Sequence, residues 1–495
     1  MTSYKWLIIA SPADFDQLGS SIDLEFQPAR IAAQLKVAVT TAVCGILIEF
    51  EYIDKDYRST YYNHYAKKGR QYRDDCVRLH FFEDCVAFDA TRLILSCPGN
   101  NRLEDHYFGY IVLRPTIVAT LGRSIVSPKM RQGARGRAIQ SLHKVHLLGE
   151  TLPVWGFPSM AQHIDISVCA HVSCWAILRH YSERYAAHRE LLIHDITMLA
   201  KPFDPGGLTP AHGLNLLEAE RIFQSAGTYP VIVGRKKAGE KSFYVQLLAY
   251  LESGFPLFIA MSGKKHAIVA AGYAWRPVAK APTYAVSHAW EQVDILLAVD
   301  DNSLPYRCVP LKASTAKTGT PGSMTYSVAD FDSFIVPLPE KVFYSAEAME
   351  RYSLALHKGL ASTLSLPAEN VLLRRYFITT ISALRRYARE YESQFGDELV
   401  NILMRLKTAQ FIWVVEYASY EQWKNGHIAG RAIIDATASP RDPTPVLFAH
   451  DENVGIRFDR SSAKPVADVM NLKRPLCTPL GRMEQNLRPA NAKPK

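Results

Sequence analysis

Apolar positions in the first 150 residues follow two patterns, the short runs typical of β-strands and the wider spacing typical of helices. The strand-like runs are KWLIIAS, KVAVTTAVCGILIEFEYI, VRLHFF, TRLILSC and HYFGYIVLRPTIVATL. Between them, DYRSTYYNHYAKKGRQYRDD has its aromatic residues at helical spacing, which favours a helix that packs tyrosines on a sheet over a base-stacking surface. We therefore predict an N-terminal α/β domain over residues 1–150.

Residues 151–335 begin with TLPVWGFPS, a loop-like stretch that contains Pro and Gly. A helical pattern follows from Cys169 to about His188. Further on, VQLLAYLESG reads as a helix that ends at Gly254, and the strand-like runs are YPVIV, FPLFIAM, HAIVAAGYAW and ILLAVDDN. One helix followed by a run of strands predicts an α+β domain in which the helix packs on an antiparallel sheet.

The remaining chain divides into a C-terminal α+β segment, residues 336–460, and a tail, residues 461–495. In the segment, ALRRYAREYESQFGDELVNILMRLKTA is a long helical stretch with a Gly break, and FIWVVEYAS and AGRAIIDATAS are strand-like. The tail holds seven Lys/Arg and two Asp/Glu, and we expect it to be a flexible, solvated end. The whole chain is thus predicted to be α+β.

Composition and charge narrow the class of protein. The 495 residues are 48% hydrophobic and 21% charged, so the chain can bury sizeable cores. The net charge is +9, and the tail supplies much of it, which argues against a nucleic-acid partner. No stretch reaches the ~18 apolar residues of a membrane span, and no signal peptide is recognisable, so we expect neither membrane insertion nor secretion.

The eight cysteines are scattered and form no CxxC pair. This pattern favours reduced thiols in a cytoplasmic protein, and no Cys/His spacing matches a structural zinc site. Phosphate-binding, dinucleotide-binding, HExxH and GxSxG motifs do not occur either, so we expect no metal and no cofactor.

The segment SVCAHVSCWAILRHY, residues 167–181, is the first candidate for chemistry because it places a cysteine where a helix begins. The unpaired N–H groups and the dipole of a helix N-terminus favour a thiolate, and Cys169 occupies that position. Cys174 lies more than a turn further along the predicted helix, where a packed thiol is expected. We therefore favour Cys169 as the nucleophile and keep Cys174 as the alternative.

A thiol nucleophile needs a base and a group that orients the base. His266 opens the apolar strand of HAIVAAGY, and Asp300 or Asp301 ends the strand of AVDDN. Strand alternation points the two carboxylates to opposite faces, and we favour Asp300, which directly ends the strand. Gln162, just upstream, could donate to an oxyanion together with the Cys169 N–H.

Other polar residues are weaker candidates for the site. His171 and His180 are expected to be helix-surface or packing residues, and His288, in the inserted segment, could compete with His266 as the base. Asp435 also ends a strand, but no second catalytic group accompanies it, and we treat it as structural or as a binding residue.

The order Cys, His, Asp and the motifs around them resemble the papain-like cysteine peptidase superfamily, and most closely its bacteriocin-leader peptidase branch. The resemblance rests on Gln162, Cys169, ESGFPLFIA, HAIVAAGY and AVDDN, and it covers about 150 residues. It implies a helix-on-sheet fold, a Cys169–His266–Asp triad, an oxyanion role for Gln162 and a peptide or protein substrate. The flanking segments FGYIVLRP and FIWVVEY are similar to those of bacterial multi-domain proteins with such a core.

The sequence also departs from that family. The gap from Gln162 to Cys169 is seven instead of six, and Ala170 stands where the family has Gly. The gap from His266 to Asp300, 34 residues, is about twice the usual one, and PVAKAPTYAVSHAWEQ reads as an inserted hairpin or loop. SCWA at residues 173–176 is also similar to papain around its cysteine, which would select Cys174.

Three functions remain open from the sequence. The first is a cysteine-dependent hydrolase that cleaves an amide bond through a thioester acyl-enzyme. The second is an acyltransferase or cross-linking enzyme that uses the same three residues, since an amine can resolve the acyl-enzyme in place of water. The third is a papain-like binding or scaffold protein without turnover.

Overall fold

The structure, a computed structural model, describes residues 3–99, 102–116, 120–163, 167–203, 213–281, 286–312, 325–339, 342–439, 441–442, 444–459, 466–472, 478–479, 483 and 486–491. The fold is mixed α+β with several antiparallel sheets. The helices are α1 (Pro28–Ala38), α2 (Lys55–Asn63), α3 (Cys169–Arg184), α4 (Ile193–Ala200), α5 (Leu216–Ser225), α6 (Arg235–Ala238), α7 (Glu240–Glu252), α8 (Ala346–Leu360), α9 (Ile381–Glu390), α10 (Glu392–Arg405) and α11 (Tyr420–Lys424).

The strands are numbered β1 to β26 in chain order. The first half contains β1 (Tyr4–Ile8), β2 (Val43–Tyr52), β3 (Cys76–Glu83), β4 (Ala87–Asp89), β5 (Ile94–Ser96), β6 (Tyr107–Leu113), β7 (Leu121–Val126), β8 (Arg137–Ile139), β9 (Ser141–Leu147), β10 (Glu150–Gly156), β11 (Tyr229–Gly234), β12 (Leu257–Met261) and β13 (His266–Trp275). The second half contains β14 (Val286–His288), β15 (Val293–Val299), β16 (Arg307–Pro310), β17 (Ser333–Leu338), β18 (Leu372–Thr380), β19 (Phe411–Ser419), β20 (His427–Ile428), β21 (Gly430–Asp435), β22 (Val446–His450), β23 (Val454–Asp459), β24 (Val466–Asn471), β25 (Thr478–Pro479) and β26 (Leu487–Pro489).

The N-terminal sheet has the order β1-β2-β3-β6-β7 and is covered on both faces. Alternation along β2 sends Ile46 and Ile48 to one core, which α1 covers, and sends Leu47 to another. That second core also contains Tyr57 of α2 and apolar residues of the β9–β10 hairpin. Because both faces are buried, β6 consists of nearly continuous apolar residues, whereas β3 also buries Arg78 and His80.

The central sheet has the order β11-β17-β12-β13-β15-β16, and β8 pairs with β13 at one place. The cysteine-bearing helix α3 packs on β13 and β12. Its buried residues enter the same core as the sheet, among them Ala170, Val172 and Trp175. This arrangement brings the start of α3 and the ends of the central strands together, and it agrees with the α+β prediction for this region.

The C-terminal sheet has the order β14-β18-β19-β21-β22-β23-β24. The pairing of β14 with β18 is parallel, and β14 comes from the segment between His266 and Asp300 that the sequence marks as an insertion. Residues 286–288 of the insertion therefore form an edge strand of the neighbouring sheet. The predicted helical stretch with a Gly break corresponds to α9 and α10, where Gly396 has a φ of 73°.

Helix α7 joins the central and C-terminal sheets into one core. It contacts β13 on one side and β18 and α8 on another, and its residues from Phe243 to Glu252 are buried. A helix that is apolar on most faces is typical of such a position. Gly254, with a φ of 78°, follows its end, as the sequence predicts.

A buried ionic network crosses the same boundary. Arg375 Nε donates to Glu252 Oε1 at 2.9 Å, and Arg375 Nη1 donates to Glu416 Oε2 at 2.9 Å. Arg431 Nη2 donates to the other oxygen of Glu416 at 2.8 Å. Burial alone would raise the pKa of Glu416, but the two arginines hold it below its ordinary value. The network thus links α7 to the strands β18, β19 and β21.

The sequence-based boundaries cut several elements. β10 crosses residue 150, β17 crosses residue 335, and β24 continues the C-terminal sheet beyond residue 460. The prediction of a tail that is flexible throughout is therefore wrong, because part of it forms β24, and β26 pairs with β8. The physical reason is that short or exposed edge strands, such as β24, lack the alternation that marks a half-buried strand.

A helix also replaces part of one predicted strand. The run from Lys36 to Ile53 reads as a single strand, but Lys36 and Ala38 belong to α1, and β2 begins at Val43. Pro28 opens α1, and Ile31, Ala32 and Leu35 form its buried face.

Among the residues described above, no helix is both long enough and apolar enough to cross a membrane.

Candidate active site

Cys169 is the first residue of α3. The first backbone hydrogen bond of the helix runs from Val172 N to Val168 O. Cys169 therefore lies in the first turn, where the N–H groups make no hydrogen bond within the helix. The N–H of Val168 donates to His171 Nδ1 at 3.3 Å, which fixes the start of the helix. Cys169 itself is half-buried. The sequence prediction that this cysteine begins the helix is therefore confirmed.

His266 is the first residue of β13, and Asp300 directly follows the end of β15. The two strands pair antiparallel, with Val269 opposite Val299, which brings the start of one to the end of the other. His266 Nε2 lies 3.1 Å from Asp300 Oδ1. The Cys169 side chain is near enough to His266 to contribute to the raised pKa of the imidazole.

Asp300 is held by more donors than the sequence suggests. Its Oδ1 accepts from the backbone N–H of Asn302 at 3.0 Å, and its Oδ2 accepts from Tyr326 Oη at 2.7 Å and Arg307 Nη1 at 3.0 Å. The Arg307 guanidinium lies 4.4 Å from the centre of the Tyr326 ring. The sequence analysis missed Arg307 and Tyr326, because neither belongs to a local motif and both reach Asp300 only through the tertiary fold.

The site stabilises a positive His266 and a negative Asp300. Burial alone would lower the pKa of His266, but its hydrogen bond to Asp300, the neighbouring Cys169 side chain and the charges of Asp300 and Asp301 raise that pKa to about 10. Burial alone would raise the pKa of Asp300, yet His266, Asn302 and Tyr326 hold it well below its ordinary value. Both shifts favour an imidazolium beside a carboxylate.

Asp301 differs from Asp300 in both position and charge. Its Oδ1 lies 3.7 Å from His266 Nε2 and accepts from Asn302 Nδ2 at 3.1 Å. Burial, and next the charge of Asp300, raise the pKa of Asp301, which favours its protonated form. Both carboxyl groups come near His266, although strand alternation predicts that they point to opposite faces. The ionised partner at hydrogen-bond distance is Asp300.

Cys174 lies inside the core of α3. It is fully buried, and burial raises its pKa. It belongs to the same apolar cluster as Trp175 and Ile177. A thiol in such surroundings is held in its neutral form and has no solvent access, as expected for a packing residue. The similarity of SCWA to papain would select Cys174, but the cysteine near His266 is Cys169.

Gln162 lies half-buried in the loop between β10 and α3. The N-terminal domain holds both of its neighbours: Arg114 Nη2 donates to Ala161 O at 3.0 Å, and Tyr65 Oη lies 3.2 Å from His163 Nδ1. Arg114 Nη1 also contacts His163 Nε2. Burial and the charge of Arg114 keep the pKa of His163 well below its ordinary value. The oxyanion role of Gln162 stays a prediction.

The N-terminal domain also binds α3 itself. Trp175 Nε1 donates to Asp56 Oδ1 at 3.2 Å, and the same oxygen accepts from the N–H of Ile193, which opens α4, at 3.1 Å. Trp175 and Asp56 are both buried. The two domains therefore share polar contacts directly behind the cysteine.

The other candidate histidines lie in packed positions. His180 Nδ1 pairs with Ser141 Oγ at 3.1 Å, and burial lowers the pKa of His180 to about 3. His288 accepts from the N–H of Trp290 and packs on Tyr376 of the C-terminal sheet. Asp435 ends β21 and accepts from the Thr437 N–H and hydroxyl, which is a structural turn contact.

His266, Asp300 and Asp301 also bring their ligand atoms within 4.8 Å of one another, a distance suited to a metal ion. The surroundings argue against that use. Asp300 Oδ2 already accepts from the Arg307 guanidinium, whose positive charge would repel a cation. His266 is stabilised in its protonated form, which cannot be a ligand.

A cavity of about 1070 Å³ lies elsewhere, between α10 and the strands β22 to β24, with Phe395 and Met470 in its wall. None of the residues that line it belongs to the Cys169–His266–Asp300 group. Cavity size is therefore no guide to the candidate chemistry in this protein.

No protein-family model matches the chain, and neither a curated protein nor a solved structure matches it.

Proposed function

We propose that this protein is a cysteine-dependent hydrolase that cleaves an amide bond of a peptide or protein substrate. One observation carries the proposal: His266 lies at hydrogen-bond distance from Asp300, and the side chain of Cys169, the first residue of a helix, contributes to the raised pKa of His266. Cys169, His266 and Asp300 thus supply the nucleophile, the base and the orienting group that thiol catalysis requires. The resemblance to papain-like peptidases supports the same reading.

In the first half-reaction, the Cys169 thiolate attacks the carbonyl carbon of the scissile amide. The position of Cys169 at the helix start and near His266 supports its role as the nucleophile. The carbonyl oxygen takes the electron pair, and the Cys169 N–H is placed to stabilise that charge, with Gln162 the expected second donor. The C–N bond then breaks, the His266 proton passes to the leaving amine, and a thioester on Cys169 remains.

In the second half-reaction, neutral His266 takes a proton from a water molecule, which attacks the thioester carbonyl. The C–S bond breaks, the carboxylic acid leaves, and the thiolate–imidazolium pair is restored. Asp300 acts through His266: its hydrogen bond to Nε2 leaves Nδ1 as the ring nitrogen that exchanges the proton, and its charge stabilises the positive ring. Arg307 and Tyr326 donate to Asp300 and hold it in place.

The test uses p-nitrophenyl acetate, an activated ester that demands little substrate recognition. We expect a burst of nitrophenol, an acetyl group on Cys169 detected by mass spectrometry, and continued turnover. Cys169→Ala should abolish the burst and His266→Ala the turnover, while Cys174→Ala, the matched control, should retain both. Turnover that is unchanged in Cys169→Ala would contradict the proposal.

An amine added to the same assay separates hydrolysis from acyl transfer. Under the hydrolase proposal, the acetyl group appears mainly as acetate. An acetamide as the dominant product at millimolar amine would instead indicate an acyltransferase that uses the same residues.

A further inference from the structure

Three potential metal ligands meet in the N-terminal domain, outside the candidate active site. Ligand atoms of Cys85, Cys97 and His106 all lie within 4.8 Å of one another, and the three residues are half-buried. The spacing, Cys-x11-Cys-x8-His, matches no common zinc motif, which is why the sequence analysis expects no metal. The fold, not a local motif, brings these side chains together.

Strand pairing explains the arrangement. In the β4–β5 hairpin, Ala87 pairs with Ser96, so Cys85 and Cys97 flank the open end of the hairpin. β6 pairs with β3 next to it, with Tyr107 opposite Phe82, and His106 directly precedes that pair. Cys85 adopts a φ of 71°, a left-handed conformation that residues other than glycine rarely adopt. The backbone thus turns at the cysteine itself.

The distance between the two sulfur atoms distinguishes a metal site from a disulfide. Cys85 Sγ and Cys97 Sγ lie 3.7 Å apart. Two thiolates bound to one tetrahedral zinc at ~2.3 Å each are separated by about 3.8 Å. A disulfide needs about 2.05 Å. The observed separation is therefore close to the edge of a zinc tetrahedron and far from a covalent S–S bond.

His106 has a carboxylate partner, as many metal-bound histidines do. Its Nδ1 lies 2.9 Å from Glu83 Oε2, and the proposal uses Nε2 as the ligand atom. A carboxylate behind a ligating imidazole fixes its tautomer and raises its basicity. Glu83 is the last residue of β3, two positions before Cys85, so the same turn supplies a ligand and its support.

We propose that Cys85, Cys97 and His106 bind one zinc ion, with Glu83 as the support of His106 and solvent in the fourth position. Two thiolates and an imidazole are the donors that zinc prefers, whereas calcium and magnesium require oxygen ligands. The ion would tie the β4–β5 hairpin to the start of β6. A two-stranded hairpin is marginally stable alone, so we infer a structural role.

The test measures metal content in the full chain. Protein incubated with Zn²⁺ under reducing conditions and then desalted should retain about one zinc ion per chain by mass spectrometry of the metal. Cys85→Ser, Cys97→Ser and His106→Ala should each lower the retained zinc at least about tenfold. Cys44→Ser, a half-buried cysteine of the same domain, is the matched control and should retain it.

A second measurement covers variants that fail to fold. Wild-type protein loaded with Co²⁺ should show the intense visible bands of tetrahedral cobalt and a thiolate-to-cobalt charge-transfer band, which Zn²⁺ should abolish by competition. Wild type that retains no metal, zinc retained in the Cys85→Ser/Cys97→Ser double variant, or a Cys85–Cys97 disulfide that excludes zinc would each overturn the proposal.

Discussion

His266 Nε2 lies 3.1 Å from Asp300 Oδ1 and 3.7 Å from Asp301 Oδ1, so two adjacent carboxyl groups face one imidazole at different distances. Arg307 and Tyr326 also donate to Asp300, and His266, Asn302 and Tyr326 hold its pKa well below the ordinary value, which favours its ionised form. Asp301, whose pKa burial and the charge of Asp300 raise, is the member that carries a proton more readily. The two residues therefore offer a matched comparison.

Asp300→Asn should lower the pKa of His266 by roughly 1–3, because it removes the charge and the hydrogen bond that stabilise the imidazolium. Asp301→Asn should change that pKa much less, since a neutral amide replaces a largely neutral acid. Histidine-selective ¹³C NMR during a pH titration measures both variants. Equal effects of the two substitutions would show that the carboxyl groups act as one unit.

The stability of the protein should depend on the charge of His266. The folded pKa of about 10 exceeds the ordinary value near 6.5, so the folded state binds more protons between these limits. The stabilisation is complete below about pH 6.5 and is lost as the pH rises through about 10. Urea unfolding of wild type against His266→Ala should show the difference shrinking across this window; a difference that grows with pH would contradict the assignment.

Arg375 should be essential for stability because Glu252 and Glu416 are buried and depend on it. Arg375→Ala leaves both carboxylates short of a charge partner, and we expect a loss of about 3–5 kcal/mol in the free energy of unfolding. Arg351→Ala, which removes an exposed pair with Glu347, should cost less than about 1 kcal/mol. Urea denaturation checks both, and similar losses would contradict a structural network.

Trp175→Phe should weaken the contact between α3 and the N-terminal domain. The change leaves Asp56, which is buried, with one donor fewer, and we expect a cost of about 1–3 kcal/mol. Cys169 should keep its reactivity if the role of Trp175 is packing alone. Thermal unfolding and the ester-hydrolysis assay together measure the two effects, and lost turnover with unchanged stability would assign Trp175 a role in positioning the cysteine.

The local part of the site was predictable from sequence. A helix start at Cys169, a strand start at His266 and a strand end at Asp300 are each marked by a few neighbouring residues, and the structure brings the three together. Arg307, Tyr326 and the Cys85–Cys97–His106 cluster were not predictable, since these contacts depend on strand pairing between distant segments. The predicted segment boundaries do not follow the sheets for the same reason, since β14 and β26 pair with strands far away in the sequence.

The most direct test of the central claim is the rate at which each cysteine reacts with an epoxide or iodoacetamide probe, resolved by peptide mass spectrometry. Cys169 should react at least about tenfold faster than Cys44 and Cys308, which are also half-buried, and Cys174 should react slowest. His266→Ala should remove the advantage of Cys169. Equally slow reaction at Cys169 and Cys174, or a Cys169 rate that does not depend on His266, would contradict the account.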